Sequence, residues 1–136
     1  MARIREHAEA GYPFEICGIM IAGQEAGTVI RVEPVRNTVV ERARDRYEMD
    51  PADQIRIQRW CDAQGMVIVG YYHSHPDHPA RASLTDADRS WQGPSYLIVS
   101  CRQGKVVDAN SFVAERDGGP MHQEELVVVA QDGSEG

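Results

Sequence analysis

Long apolar runs are absent from this sequence, and so is any excess of positive charge. No segment approaches the roughly 20 consecutive apolar residues that a membrane-spanning helix needs. The amino terminus, Met1-Ala-Arg-Ile-Arg-Glu-His7, lacks the apolar centre of a secretory signal. Cysteine is scarce: Cys17, Cys61 and Cys101 are odd in number and widely spaced, which excludes a disulfide framework and a Cys-x-x-Cys zinc knuckle. These absences set the expectation of a cytoplasmic protein without membrane contact. Basic residues are also outnumbered, 14 Lys and Arg against 21 Asp and Glu, for a net charge of −7. They are interleaved with acids, as in Glu41-Arg42-Ala43-Arg44-Asp45-Arg46, so they read as solvated surface and no nucleic-acid partner is expected. Repeats and low-complexity tracts are missing too.

What is present suits one ordinary globular domain: 136 residues, 42% hydrophobic and 26% charged. Residues 3 to 10 favour a helix stopped by Gly11 and Pro13. Glu15 to Ala22 and Thr28 to Val35 read as strands that can pair across a Gly23–Gly27 turn. Residues 36 to 50 are polar and irregular. Asp50 and Pro51 then supply the cap and first position of a helix, which Gly65 ends after Ile55, Ile57, Trp60 and Cys61 at helical spacing. Met66 to Tyr72 is the continuous apolar run of a strand buried on both faces. A helix near Thr85 to Trp91 follows a loop of Pro, Asp and His, and Tyr96–Cys101 and Val106–Ala114 read as strands. Glu124 to Ala130 is expected to add a last strand, closing a domain over 1–130 with 131–136 as a frayed, flexible tail. The fold class is α/β, a single-domain three-layer sandwich of a mixed sheet flanked by helices, with the strand order left open.

The chemistry concentrates in His73-Ser-His75-Pro-Asp-His-Pro-Ala-Arg-Ala-Ser83-Leu-Thr-Asp86. Side chains at i and i+2 of a strand point the same way, so His73 and His75, at the end of the inferred strand, can face one ion. The loop then returns Asp86 at the start of the next helix. Two His and one carboxylate leave the fourth position of a zinc tetrahedron open to water, which is how catalytic rather than structural sites are built. Iron and manganese also accept such ligands. Hydrolysis by such a water needs in addition a group that moves its proton to the leaving group. Glu15, an acid at the head of an apolar run, is the candidate, because buried carboxylates rarely lack a partner.

Each piece has a plainer reading. A lone His-x-His often satisfies loop backbone, and both Ser83-Leu-Thr-Asp86 and Thr85-Asp86-Ala-Asp88 fit a helix capping box. It is the coincidence of all the pieces, with an upstream Glu, that favours the metal site.

The combined pattern Glu…HxHx7SxxD resembles the JAMM motif of MPN/JAB1-domain (Mov34/PAD-1-like) metallopeptidases and matches it without gaps. Pro13-Phe-Glu15-Ile-Cys17-Gly18 resembles the P-x-E-x-C-G segment of the short prokaryotic members. Gly70-Tyr-Tyr-His-Ser-His-Pro76 resembles their G-x-x-H-S-H-P, and Tyr96-Leu-Ile-Val-Ser100 the strand that follows; the likeness covers about residues 1 to 115. It implies a cytidine-deaminase-like mixed sheet and one Zn2+ per chain held by His73, His75 and Asp86. It also implies Glu15 as general acid/base and Ser83 as oxyanion stabiliser. The substrate implied is a ubiquitin-like or sulfur-carrier protein with a Gly-Gly tail, cut at a peptide or isopeptide bond. Few residues separate Trp91 from Tyr96, which leaves no room for the long insertion of ubiquitin-specific eukaryotic relatives.

A noncatalytic MPN scaffold and a RadC-like DNA-repair-associated role are the alternatives. The first usually lacks the ligands, and the second carries a helical DNA-binding region that this acidic chain does not show. A homodimer stays open. Cys17 reads as a small buried hydrophobe, His78 as an exposed loop residue, His7 and His122 as surface, and Trp91 and Tyr96 as core or rim.

Overall fold

The computed structural model describes residues 1–24, 27–39 and 46–129. The expected tail, 131–136, and the end of the expected last strand, Ala130, lie outside them. The chain runs α1 (Ala2–Gly11), β1 (Cys17–Gly23), β2 (Val29–Val35), α2 (Pro51–Gln64), β3 (Met66–Pro76), α3 (Leu84–Asp88), β4 (Ser95–Arg102), β5 (Lys105–Ala114) and β6 (Met121–Glu124). One sheet takes the order β2-β1-β3-β4-β5-β6, mixed because β3 and β4 are parallel while every other pair is antiparallel. Parallel neighbours need a crossover, and the stretch from Asp77 through α3 to Pro94 is that connection.

The helices form as the local chemistry dictates. Asp50 accepts from the Ala52 N–H at 2.9 Å, Pro51 opens α2, and Gly65 closes it in the left-handed conformation at φ 68°. A strand alternates its faces, and the sheet uses both. Ile4 and Ala8 of α1 pack on Met20, Tyr72, Leu97 and Val99. Ile57 and Cys61 of α2 pack on Cys17, Ile19, Ile21 and Val35, with half-buried Tyr71 against them. Tyr71 therefore faces α2, and by the same alternation so do His73 and His75. This is the three-layer sandwich expected from the sequence.

Close packing leaves no room for a side chain at several glycines, Gly18 and Gly70 among them. A Cβ added to Gly18 would fall inside the ring of Tyr72, which is wholly buried. Gly18→Ala is expected to lower stability by roughly 1–3 kcal/mol, because a core cannot absorb extra volume without moving side chains off their rotamers. An unchanged urea midpoint would contradict that packing.

Several boundaries differ from expectation. The first strand begins at Cys17, so Glu15 precedes it in irregular backbone. The third continues past Tyr72 to Pro76 and carries both histidines within it. The third helix is Leu84–Asp88, because the Ser90 hydroxyl donates to the Ala87 carbonyl (2.6 Å) and the Trp91 N–H to the Tyr96 hydroxyl (2.8 Å), drawing the chain away from the helix. Tyr96 is buried as expected, but Trp91 is 63% exposed, beyond what core or rim implies. The last strand is Met121–Glu124, not Glu124–Ala130. Ser111–Ala114 of β5 pairs with it across a turn holding Gly118 and Gly119 at positive φ, so Leu126 to Val129 come after the paired stretch and stay exposed. Among the described residues no helix is long and apolar enough to cross a membrane.

Candidate active site

Two neighbouring strands place the site. Cys17 of β1 pairs with His73 of β3, which brings the residues before β1 alongside the end of β3. A reciprocal cross-link tightens this junction: Ser74 Oγ accepts from the Ile16 N–H (3.0 Å) and the Ser74 N–H donates to the Ile16 carbonyl (3.0 Å). Ser74 points away from its two histidine neighbours, so the cross-link fixes Glu15 beside them without occupying their face. Glu15 is buried, and one of its carboxylate oxygens lies within 4.8 Å of the nearest ring nitrogens of His73 and His75.

Asp86 arrives from α3 through a complete capping box. Ser83 Oγ accepts from the Asp86 N–H (3.0 Å), and Asp86 Oδ2 accepts from the Ser83 N–H (2.9 Å). The plain reading of Ser83-Leu-Thr-Asp86 is therefore correct, and the same cap turns the Asp86 carboxylate toward the histidines. The cap holds the carboxylate so that Oδ1 lies 3.2 Å from His73 Nε2 and Oδ2 lies 3.1 Å from His75 Nε2. The two Nε2 atoms are themselves 3.1 Å apart. Structure thus brings His73, His75, Asp86 and Glu15 together, with Ser83 on the exposed rim.

Electrostatics follow from burial and this crowding. Burial disfavours an ionised Asp86, but hydrogen bonds to His73 and His75 outweigh it and hold the carboxyl well below the usual carboxylate range. Burial pushes His73 down despite Asp86. For His75 burial also acts downward, yet Asp86 and the Pro79 carbonyl together raise it.

The site opens on a cleft of about 610 Å³ whose lining includes Glu15, Tyr47, His75, His78, Ser83 and Asp86. His78 is exposed there, as expected. Tyr47 was not foreseen. Its ring stacks on His73, with centroids 4.6 Å apart and planes 28° from parallel, and its carbonyl accepts from Arg89 Nη1 at 2.9 Å. The only sequence signal was an aromatic residue alone in a polar stretch.

His7 differs from expectation: it is half-buried and its Nδ1 lies 2.9 Å from the Tyr72 hydroxyl, linking α1 to the sheet. His122 is exposed and pairs with Glu115 at 2.9 Å.

Cys17 behaves as the small buried hydrophobe expected. Burial, reinforced by the charges of Glu15 and Asp53, pushes its thiol up to about 12. A raised pKa keeps a thiol neutral, and only the thiolate is nucleophilic. Iodoacetamide at pH 8 is expected to leave Cys17 unmodified in the folded protein and to alkylate it in urea; mass-spectrometric detection of native alkylation would refute its inertness.

A family profile described as prokaryotic homologs of the JAB domain matches residues 1–115. The Desampylase of Haloferax volcanii is 39% identical over 101 residues, 74% of this chain and 72% of that protein. The CysO-cysteine peptidase of Mycobacterium tuberculosis is 30% identical over 107 residues, 78% of this chain and 72% of that protein. Among solved structures, protein DSY2949 from Desulfitobacterium hafniense superposes with a TM-score of 0.80 at 29% identity, covering 98% of this chain and 91% of that one. A JAB1/MPN domain protein from Archaeoglobus fulgidus, 19% identical with a TM-score of 0.53 over 95% of this chain and 89% of that one, shares the fold.

Proposed function

The chain belongs to the family of prokaryotic homologs of the JAB domain, and we propose that it is a zinc-dependent peptidase cutting a peptide or isopeptide bond at the Gly-Gly carboxyl terminus of a ubiquitin-like or sulfur-carrier protein. The observation that carries this reading is the meeting of two imidazole nitrogens and one carboxylate within 3.1–3.2 Å of one another, with a buried glutamate beside them.

The donor set fits a cation. The Pro79 carbonyl sits 2.9 Å from His75 Nδ1, a contact that requires the Nδ1 proton. A neutral His75 therefore carries its lone pair on Nε2, facing both His73 Nε2 and an Asp86 oxygen. The His75 lone pair and the Asp86 oxygen, opposed at 3.1 Å, call for a positive charge between them. His73, His75 and Asp86 would hold one zinc ion, a set with one position left over. Bound there, zinc supplies a Lewis acid and acidifies a coordinated water to a pKa near 7.

The chain's own groups do the rest. The Glu15 carboxylate takes a proton from the attacking water and hands it to the leaving nitrogen. Ser83 Oγ accepts the Asp86 N–H as a cap, which leaves its hydroxyl hydrogen to donate to the oxygen of the tetrahedral intermediate. Glycines in the substrate tail let an extended chain lie close in the cleft. The names of the relatives support this substrate class, since one is a desampylase and another a peptidase acting on CysO-cysteine.

The test is incubation of the zinc-loaded protein with a sulfur-carrier fusion extended beyond its Gly-Gly, read by mass spectrometry. Cleavage after the second glycine, abolished by a chelator and restored by zinc, is expected. Intact fusions across a panel of carriers from the same genome, with zinc bound, would remove the substrate assignment. For Ser83→Ala we expect a kcat lower by about 10²–10³-fold from the lost oxyanion donor, with roughly 1 kcal/mol of stability lost with the cap. A variant that lost stability but kept kcat would leave Ser83 with the cap alone.

A further inference from the structure

Asn37, two residues beyond β2, joins two parts of the site that the sheet does not connect. Its side-chain Nδ2 donates to the carbonyls of Glu15 (3.1 Å) and Arg46 (3.2 Å). Its Oδ1 accepts from the N–H groups of Val39 (3.0 Å) and Glu48 (3.0 Å). A primary amide has two N–H donors and an oxygen with two acceptor positions, so this side chain is fully used. Carbonyls on the nitrogen and N–H groups on the oxygen leave one orientation of the amide.

The choice of partners is informative. Arg46 and Glu48 flank Tyr47, so Asn37 grips the backbone on both sides of the residue whose ring stacks on His73. Arg89 holds the Tyr47 carbonyl from the opposite element, just after α3. Bonds from Thr38 N–H to Glu48 O and from Asp50 N–H to Arg36 O (each 2.9 Å) complete a short ladder around this grip. The other branch of the amide reaches the backbone of Glu15, whose carboxylate faces the histidine pair. One side chain therefore sets where the proposed base and the aromatic wall stand relative to each other.

We infer that Asn37 is a positioning residue that holds Glu15 and the Tyr47 ring in register against His73, His75 and Asp86, acting on turnover and not on metal retention. This rests on the peptidase reading above. None of the four bonds touches a group proposed to hold zinc, so its removal spares the metal, whereas misplacing a catalytic group by about 1 Å can cost about 10²-fold in rate. Asn37→Asp keeps the size and the acceptors but sets a carboxylate oxygen against the Glu15 and Arg46 carbonyls, so it is expected to lose as much as Asn37→Ala.

The experiment compares the parent with Asn37→Ala, Asn37→Asp, Tyr47→Leu and the Asn37→Ala/Tyr47→Leu double variant. All are zinc-loaded full chains acting on a fusion extended beyond Gly-Gly. Expected are a kcat lower by about 10- to 100-fold in both Asn37 variants, KM within about threefold, and zinc content equal to the parent. The double variant is expected to fall by less than the product of the single losses, because the two residues act through one arrangement. A parent that cleaves beside an Asn37→Ala variant with unchanged kcat overturns this inference alone. Loss of zinc or of folding in both Asn37 variants assigns Asn37 to the scaffold and also overturns it. A parent that cleaves nothing sinks the peptidase reading instead.

Discussion

Glu15→Gln is expected to keep the fold and its metal while losing about 10²–10⁴-fold in kcat, the range that general acid–base catalysis supplies. Glutamine has the size and shape of glutamate but cannot carry a proton between water and a leaving nitrogen. Backbone on either side is pinned independently of the carboxylate, since the Ile16 N–H and carbonyl bond Ser74 and the Glu15 carbonyl accepts from Asn37. None of these three backbone bonds uses the carboxylate. The experiment also decides a question of geometry. A carboxylate oxygen of Glu15 lies within 4.8 Å of ring nitrogens of both histidines, close enough for Glu15 to be a metal ligand itself. If it were, the amide would weaken zinc binding along with turnover. Full zinc occupancy with little turnover assigns Glu15 to proton transfer; lost zinc assigns it to the metal, and parental activity denies it either role.

The parts of this molecule that the sequence revealed are those governed by local rules. Pro51 after a capping Asp50, and a left-handed Gly65 at the other end, delimited α2 to the residue because caps are decided by a few neighbouring backbone groups. Alternation predicted that His73 and His75 share a face, and extension of β3 to Pro76 is what realises it. Three-residue spacing from Ser83 to Asp86 encoded both a cap and a carboxylate aimed at the histidines, and one geometry satisfies both.

What the sequence hid depends on contacts between distant segments. Val127, Val128 and Val129 have strong strand propensity, yet β5 pairs with Met121–Glu124 because a glycine turn brings that segment back first. Tyr47 and Asn37 lie in a stretch with no periodicity, and their value comes from His73 and Glu15, which a linear reading cannot place beside them. His7 gave no local hint of Tyr72 for the same reason.

His75→Ala is expected to remove metal and activity together, and the size of the effect follows from how the imidazole is held. His75 pairs with Ser100 of β4, and its ring is anchored by the Pro79 carbonyl at Nδ1, so Nε2 is presented ready to bind. Losing even a group that only orients a metal ligand costs about 10- to 100-fold in affinity; losing one of three ligands should cost more. In the parent, zinc at about 100 times its Kd adds about 2.7 kcal/mol to folding stability by mass action. For a chain of this size that is a rise of several degrees in Tm. His75→Ala should melt at the same temperature with and without zinc, and its purified form should hold none. Asp86→Asn provides the companion measurement, because an amide can still accept the Ser83 N–H as a cap while presenting no charge to the ion. It should stay folded and bind zinc weakly. If His75→Ala kept a zinc-dependent rise in Tm equal to the parent's, the ion would lie elsewhere, and the meeting of His73, His75 and Asp86 would be a hydrogen-bonded cap and nothing more.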